Sequence, residues 1–181
     1  MKDKIDALVA LKKEIKNEIS NSFFFGEIER RSCKGWFGTD PIIFVSLNPS
    51  TSTFPTEADK FYYYTLEEFG FANPHLSDLF KDIMTGKEFD AFENDSLKFH
   101  EAFEKGLRWL HREIEILGGN TKLIAVGGKT FDLLKKVFDN KQLYPDFLRH
   151  YSWACRWNKK DQFRESLMDV KRWIDGTKKA I

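Results

Sequence analysis

Cysteine is nearly missing from this 181-residue chain, which carries only Cys33 and Cys155. Two thiols are too few for a disulfide framework or a four-thiolate metal site, and a reducing, cytoplasmic setting is expected. An excess of one charge is missing too. Lys plus Arg number 29 and Asp plus Glu 28, a net charge of +1. No bulk field draws the chain to nucleic acid, so such binding requires a local basic patch. Histidine is scarce: His75, His100, His111 and His150 are the full set, and none stands at metal-ligand spacing from another His or a Cys. No metal and no cofactor are therefore expected. No apolar run approaches the ~20 residues of a membrane-crossing helix. The start, Met1-Lys2-Asp3-Lys4, has no apolar signal core. Internal repeats, low-complexity tracts and linkers are also lacking, so residues 1–181 are expected to form one domain. What remains is ordinary for a soluble globular protein: 41% hydrophobic and 31% charged residues, with 18 Phe, 5 Tyr and 5 Trp, most of them for the core and a few for stacking surfaces.

Hydrophobic spacing supplies the elements. Leu8, Leu11, Ile15 and Ile19 predict an amphipathic helix within residues 1–22, packed on or beside the core. Phe23-Phe24-Phe25-Gly26 is an apolar connector, and Arg30-Arg31-Ser32-Cys33-Lys34-Gly35 a basic turn. Ile42 to Leu47 reads as a buried strand, residues 56–69 as a helix, and His75 to Phe80 as a second strand. Residues 81–96 read as a long connection. Phe103, Leu107, Leu110, Ile114 and Leu117 mark the clearest helix, ended by Gly118-Gly119. Lys122 to Val126 is a third strand, Thr130 to Phe138 a helix, Phe147 to Tyr151 a short fourth strand, and Phe163 to Ile174 the closing helix. Strands alternating with helices predict a three-layer α/β/α sandwich around a central, mainly parallel four-stranded sheet.

Chemistry concentrates in two segments. In Ile42-Ile43-Phe44-Val45-Ser46-Leu47-Asn48-Pro49-Ser50-Thr51-Ser52, an apolar strand breaks into Asn-Pro and three hydroxyls. Pro49 stops the strand and holds Asn48 extended. Asn48 then stands at a strand's carboxyl end, where open α/β sheets bind ligands. The second segment is Arg149-His150-Tyr151-Ser152-Trp153-Ala154-Cys155-Arg156-Trp157. His150 there either opens on the same crevice as Asn48 or simply packs against Trp153, with Arg156 a solvated charge. Gly127-Gly128-Lys129-Thr130 suggests a phosphate loop, but Leu123 occupies the position of the first glycine that loop requires. The two glycines instead allow a tight strand-to-helix turn.

In order, these pieces resemble the uracil-DNA glycosylase superfamily, most nearly its mismatch-specific uracil/thymine branch. The strand and Gly-x-Asn-Pro-Gly/Ser loop stand as Val45-Ser46-Leu47-Asn48-Pro49-Ser50. Phe54-Pro55, Phe61-Tyr62 and Gly70-Phe71 follow as in that branch. Leu123 to Gly127 matches a later strand, and His150-Tyr151-Ser152 with Arg156 stands for the His-Pro-Ser motif and its trailing Arg. The resemblance spans roughly residues 40–160. Ser46 replaces a glycine and Tyr151 a proline, the latter loosening the turn that holds His150. Two cysteines exclude the four-thiolate iron–sulfur cluster of some branches. A set of small proteins with a Leu-Asn-Pro-Ser-Thr segment, here Leu47 to Thr51, is similar too, and there fold alone does not carry activity.

The resemblance implies hydrolysis of the N-glycosidic bond of a flipped damaged or mismatched base, in base excision repair. Asn48 would position water and His150 would stabilise the departing base. Phe54 would stack on that base, while Ser50, Ser152 and Arg156 would hold DNA. Asp78 stands where relatives often carry an Asn at the end of the second strand, and it either faces the pocket and reads the base or caps the segment that follows. An ionised carboxylate only accepts hydrogen bonds, which disfavours uracil's carbonyl edge and suits an exocyclic amine. The implied partner is duplex DNA with a damaged or mismatched base, and a monomer is expected. The alternatives are a catalytically inactive nucleic-acid or nucleotide-binding protein of this fold, and an enzyme acting on a small nucleoside-like molecule.

Overall fold

The run of β-branched and aromatic residues after Pro41 becomes the centre of a parallel sheet. The computed structural model describes residues 2–19, 38–49 and 56–176. Strand β1 (Ile42–Ser46) lies between β2 (His75–Asp78) and β3 (Lys122–Ala125), in the order β2-β1-β3. Ile43 pairs with His75 on one side and Leu123 on the other, and both ladders are parallel. A strand hydrogen-bonded on both edges and covered on both faces is apolar on both, which is why β1 shows no alternation from Ile42 to Val45, before Ser46 closes it.

The expected four-stranded sheet is corrected to three strands among the described residues. Beside β3 the chain makes only isolated parallel bridges, Leu123 with Leu143 and Val126 with Leu148. Tyr144 N–H donates to Leu123 O at 2.9 Å, and Leu148 N–H to Ala125 O at 2.8 Å. Between them Pro145 has no N–H to give, and Asp146 turns its carboxylate onto Phe147 N–H at 2.8 Å. The ladder breaks there, and residues 149–151 run straight into a helix.

Seven helices complete the described chain: α1 (Lys2–Glu18), α2 (Glu57–Glu68), α3 (Gly86–Glu93), α4 (Ser96–Leu117), α5 (Gly128–Leu134), α6 (Tyr151–Arg156) and α7 (Lys160–Ile174). Helix α3 falls inside the expected connection over 81–96; its start is fixed by a capping box between Thr85 and Glu88. Strand alternation divides the core. Phe44, Leu76, Ile124 and Leu148 pack with Tyr62 and Leu66 of α2, Ala154 of α6 and Phe163 and Leu167 of α7. Ile43, Val45, Leu123 and Ala125 pack on the opposite face with Phe89 of α3, Leu107 and Leu110 of α4 and Leu133 of α5. Helices thus cover both faces of the sheet. Helix α1 lies outside α4, where Leu11, Ile15 and Ile19 bury Trp109. The rim of that contact carries Arg112–Glu14 and Arg108–Glu18 pairs, which contribute little beside the apolar burial.

Helix α4 approaches the sheet closely at Gly106, where a Cβ would lie 2.1 Å from Leu79 O. That approach encloses a polar cluster. Lys81 Nζ donates to Ser77 Oγ at 2.7 Å and to Glu113 Oε1 at 2.8 Å, and Glu113 Oε2 lies 3.7 Å from His75 Nε2. All are buried. Burial alone would raise the Glu113 carboxyl, but the Lys81 ammonium and His75 outweigh it and hold it down at about 2.

Replacing Glu113 by Gln leaves the Lys81 charge buried without its counter-ion. Urea denaturation at pH 7 should show a loss of about 3–5 kcal/mol; a change under about 1 kcal/mol contradicts this account. Because the folded carboxyl titrates below its ordinary 4.5, its contribution is complete above that pH and disappears as pH falls toward 2. Glu113→Gln should lack this acid-side loss.

Candidate functional site

Parallel pairing delivers every chain exit to one edge. Beyond β1 and β2 the pairing continues, with Leu79 N–H on Ser46 O and Phe80 N–H on Leu47 O, both at 2.8 Å. Pro49 then ends it. The Asn48 side chain is tied down by its own amide: Nδ2 donates to Pro49 O at 2.9 Å and to Met84 O at 3.0 Å. Both amide hydrogens are thereby engaged, and Oδ1 is the group Asn48 has to offer a further donor.

The connections leaving β1 and β3 part company. From β1 the chain crosses through α2 on one face; from β3 it enters α5 on the other. A crevice at the carboxyl ends of two such strands is where this architecture holds ligands. Gly127 follows β3 at that end. Gly127 has φ +97°, and a Cβ built there meets nothing within 4 Å.

His150 leaves the same edge, two residues after Leu148 bridges Val126. It is the N-cap of α6 and caps through its ring: Nδ1 accepts from Ser152 N–H at 3.3 Å, with Ser152 Oγ at 2.7 Å. An acceptor at Nδ1 places the ring proton on Nε2. Burial holds the imidazole below its ordinary pKa, although the Asp59 carboxylate opposes this. The resulting group is a neutral imidazole with its Nε2–H as the available donor.

The proline-to-tyrosine departure does not loosen this turn. Tyr151 stacks on His150 with centroids 4.4 Å apart and on Tyr62 at 4.5 Å, so the imidazole is held by a stack of rings instead of a fixed φ. Burial raises the Tyr62 and Tyr151 hydroxyls well above the ordinary range, and the nearby Asp78 carboxylate adds to this. The Tyr62 hydroxyl is buried without a hydrogen-bond partner among the described residues. Asp78, the last residue of β2, is itself fully enclosed. Desolvation drives its carboxyl up to about 7, Lys81 pulling it down and Glu113 pushing it further up.

The structure thus brings Asn48, Gly127 and His150 to one sheet edge, and places Asp78 near Tyr62 and Tyr151 behind the imidazole. Ser152 is engaged by His150, and Arg156 lies exposed at the far end of α6. Ser50 and Phe54 fall outside the described residues, as does the basic turn at 30–35. Asp59, Tyr62 and Tyr151 went unnoticed as site residues. Thr56 and Asp59 form a capping box that starts α2, and the Thr-x-x-Asp spacing was the signal that places Asp59 there. Among the described residues no cluster of three or more His, Cys, Asp or Glu is arranged to hold a metal, and no helix is long and apolar enough to cross a membrane. No protein-family model, curated protein or solved structure matches the chain.

Ser152→Ala removes a hydroxyl beside Nδ1 that favours the neutral ring. The His150 pKa, followed by NMR titration, should rise toward its ordinary 6.5. An unchanged or lower value contradicts the assigned tautomer.

Proposed function

We propose that this protein hydrolyses the N-glycosidic bond of a nucleotide whose base is drawn out of the stack, as a DNA glycosylase. The observation that carries this reading is the pairing of functions at one edge: an amide oxygen at Asn48 and a neutral imidazole N–H at His150, on either side of the open glycine at the end of β3. Water held by Asn48 Oδ1 attacks the sugar's C1′. The bond from C1′ to the base nitrogen breaks, and its electron pair leaves with the base. An amide is no base, and none is needed while the sugar carries developing positive charge. The His150 Nε2–H faces the negative charge growing on the base and stabilises it without transferring its proton. The water's proton ends on the released base.

Asp78 and the Tyr62 hydroxyl are assigned to reading the base. An acidic group at about 7 is half protonated at neutral pH. Its protonated form pairs one donor with one acceptor, as an amide does, and fits a carbonyl edge; its ionised form accepts only. The exclusion of uracil expected from an ionised Asp78 therefore holds only on the alkaline side.

The deciding assay measures base release from strands carrying uracil, a mismatched thymine, hypoxanthine or an alkylated base. Asn48→Ala and His150→Ala should each lower the rate by about 100-fold or more. Undiminished release in Asn48→Ala removes that residue from the chemistry. Binding without release from any substrate establishes the non-enzymatic alternative.

The substrate profile should also depend on pH. Between pH 6 and pH 8, release of uracil should fall relative to release of a base bearing an exocyclic amine, with a midpoint at about 7. Asp78→Asn should abolish that crossover and keep uracil favoured throughout. A profile that ignores pH in the unmodified protein counts against the role of Asp78.

A further inference from the structure

The segment after His150 carries a feature the base-excision chemistry leaves unused. From Phe147 to Lys160 the chain has Arg149, Arg156, Lys159 and Lys160 and no acidic residue, in a molecule whose charges otherwise balance. Elsewhere cations are matched, as in Lys98–Asp95, Arg112–Glu14 and Arg172–Asp169. Arg149, Arg156 and Lys159 are exposed and make no ion pair among the described residues. Lys160 lies over the Phe61 ring at 5.2 Å, as Arg164 does at 5.5 Å, and it also feels Glu57.

Two indoles are interleaved with these cations. Trp153 lies one helical turn before Trp157, and the Arg149 guanidinium sits 5.0 Å over the Trp153 ring. Trp157 is 62% exposed, although nothing in its local backbone is loose. Helix α6 closes with Asn158 at φ +52°, Lys159 N–H on Ala154 O at 2.7 Å and Asn158 N–H on Cys155 O at 3.5 Å. This six-to-one and five-to-two pattern turns the chain sharply into α7 and leaves Trp157 standing at the corner. One exposed indole is ordinary by itself; here it stands among cations that have no ion pair among the described residues. Cations around a bare aromatic face match a strand whose bases are unpaired: phosphates meet the charges, and a base stacks on the ring. A closed duplex hides its base faces and offers only phosphates. From the His150 cap to Trp157 the helical rise is about 10 Å, on the order of three stacked nucleotides.

We propose that residues 149–159 form a contact surface for single-stranded nucleic acid, with Trp157 as the stacking platform and Arg149, Arg156 and Lys159 as phosphate contacts. This extends the base-excision reading by naming an unpaired strand as the substrate the site takes.

The test is fluorescence anisotropy with a labelled, undamaged DNA single strand, its duplex and polyglutamate as competitor, over a range of salt. The single strand should bind more tightly than the duplex. Trp157→Ala should weaken it roughly tenfold or more, and Trp157→Phe should restore most of the loss. Arg156→Glu with Lys159→Glu should weaken binding and flatten its salt dependence. Lys98→Ala, which removes a paired cation on α4, should bind as the unmodified protein does, and because an undamaged strand is bound without base release, failure of this surface is read separately from failure of the chemistry. Equal binding by Trp157→Ala, preference for duplex, or equal displacement by polyglutamate overturns the proposal.

Discussion

Parallel hydrogen bonding on both sides of β1 is the constraint from which the site follows. Because Val45 stands opposite Ser77 and Ala125 in ladders of the same direction, the chain leaves every strand at one edge. Leu148, bridged to Val126 in the same sense, adds His150 to that edge although no fourth strand forms. Antiparallel pairing at any of these positions would send one of the polar groups to the opposite end. The crossovers leave β1 and β3 toward opposite faces, and the residue that follows β3 there as the N-cap of α5, Gly127, carries no side chain. Asn48 and His150 owe their positions to topology first and to local hydrogen bonds second.

Two buried acids behave oppositely for a physical reason. Glu113 has an ammonium at 2.8 Å, so it stays ionised and adds to stability. Asp78 is equally enclosed but has aromatic hydroxyls and only the more distant influence of Lys81, so desolvation prevails and its proton is retained to about 7. The alternation of β2 keeps them apart: His75 and Ser77 face the Lys81–Glu113 pair, Leu76 and Asp78 face α2 and α6. One acid holds α4 against the sheet, and the other lies among the aromatic rings of the opposite face. The ring stack Tyr62–Tyr151–His150 runs from beside Asp78 to the imidazole.

Much of this arrangement was legible in the residues. The unbroken apolar run at 42–45 identified the central strand, and the steps from Phe103 to Leu117 identified the long helix. The break at Asn48-Pro49 marked a strand end because proline cannot continue a ladder. Other parts were hidden for definite reasons. Pro145 and Asp146 break the pairing just before 147, and His150 starts α6 at Tyr151, so what hydrophobicity alone presents as a strand over 147–151 keeps one bridge. Helix α3 is short and its apolar face, around Phe89, is brief; only the Thr85/Glu88 box announces it. The state of Asp78 could not be read at all, since it depends on how completely distant segments exclude water. Tyr151, taken as a loss relative to proline, proves to hold His150 by stacking, which requires knowing that Tyr62 lies beneath it.

The central claim is that Asn48 and His150 serve one ligand. The most direct measurement is an NMR titration with a free pyrimidine base, following the Asn48 side-chain amide and the His150 ring nitrogens in the same sample. Both sets of signals should move along one saturation curve, with a single dissociation constant. Movement of only one, or two curves with different midpoints, would contradict a shared site.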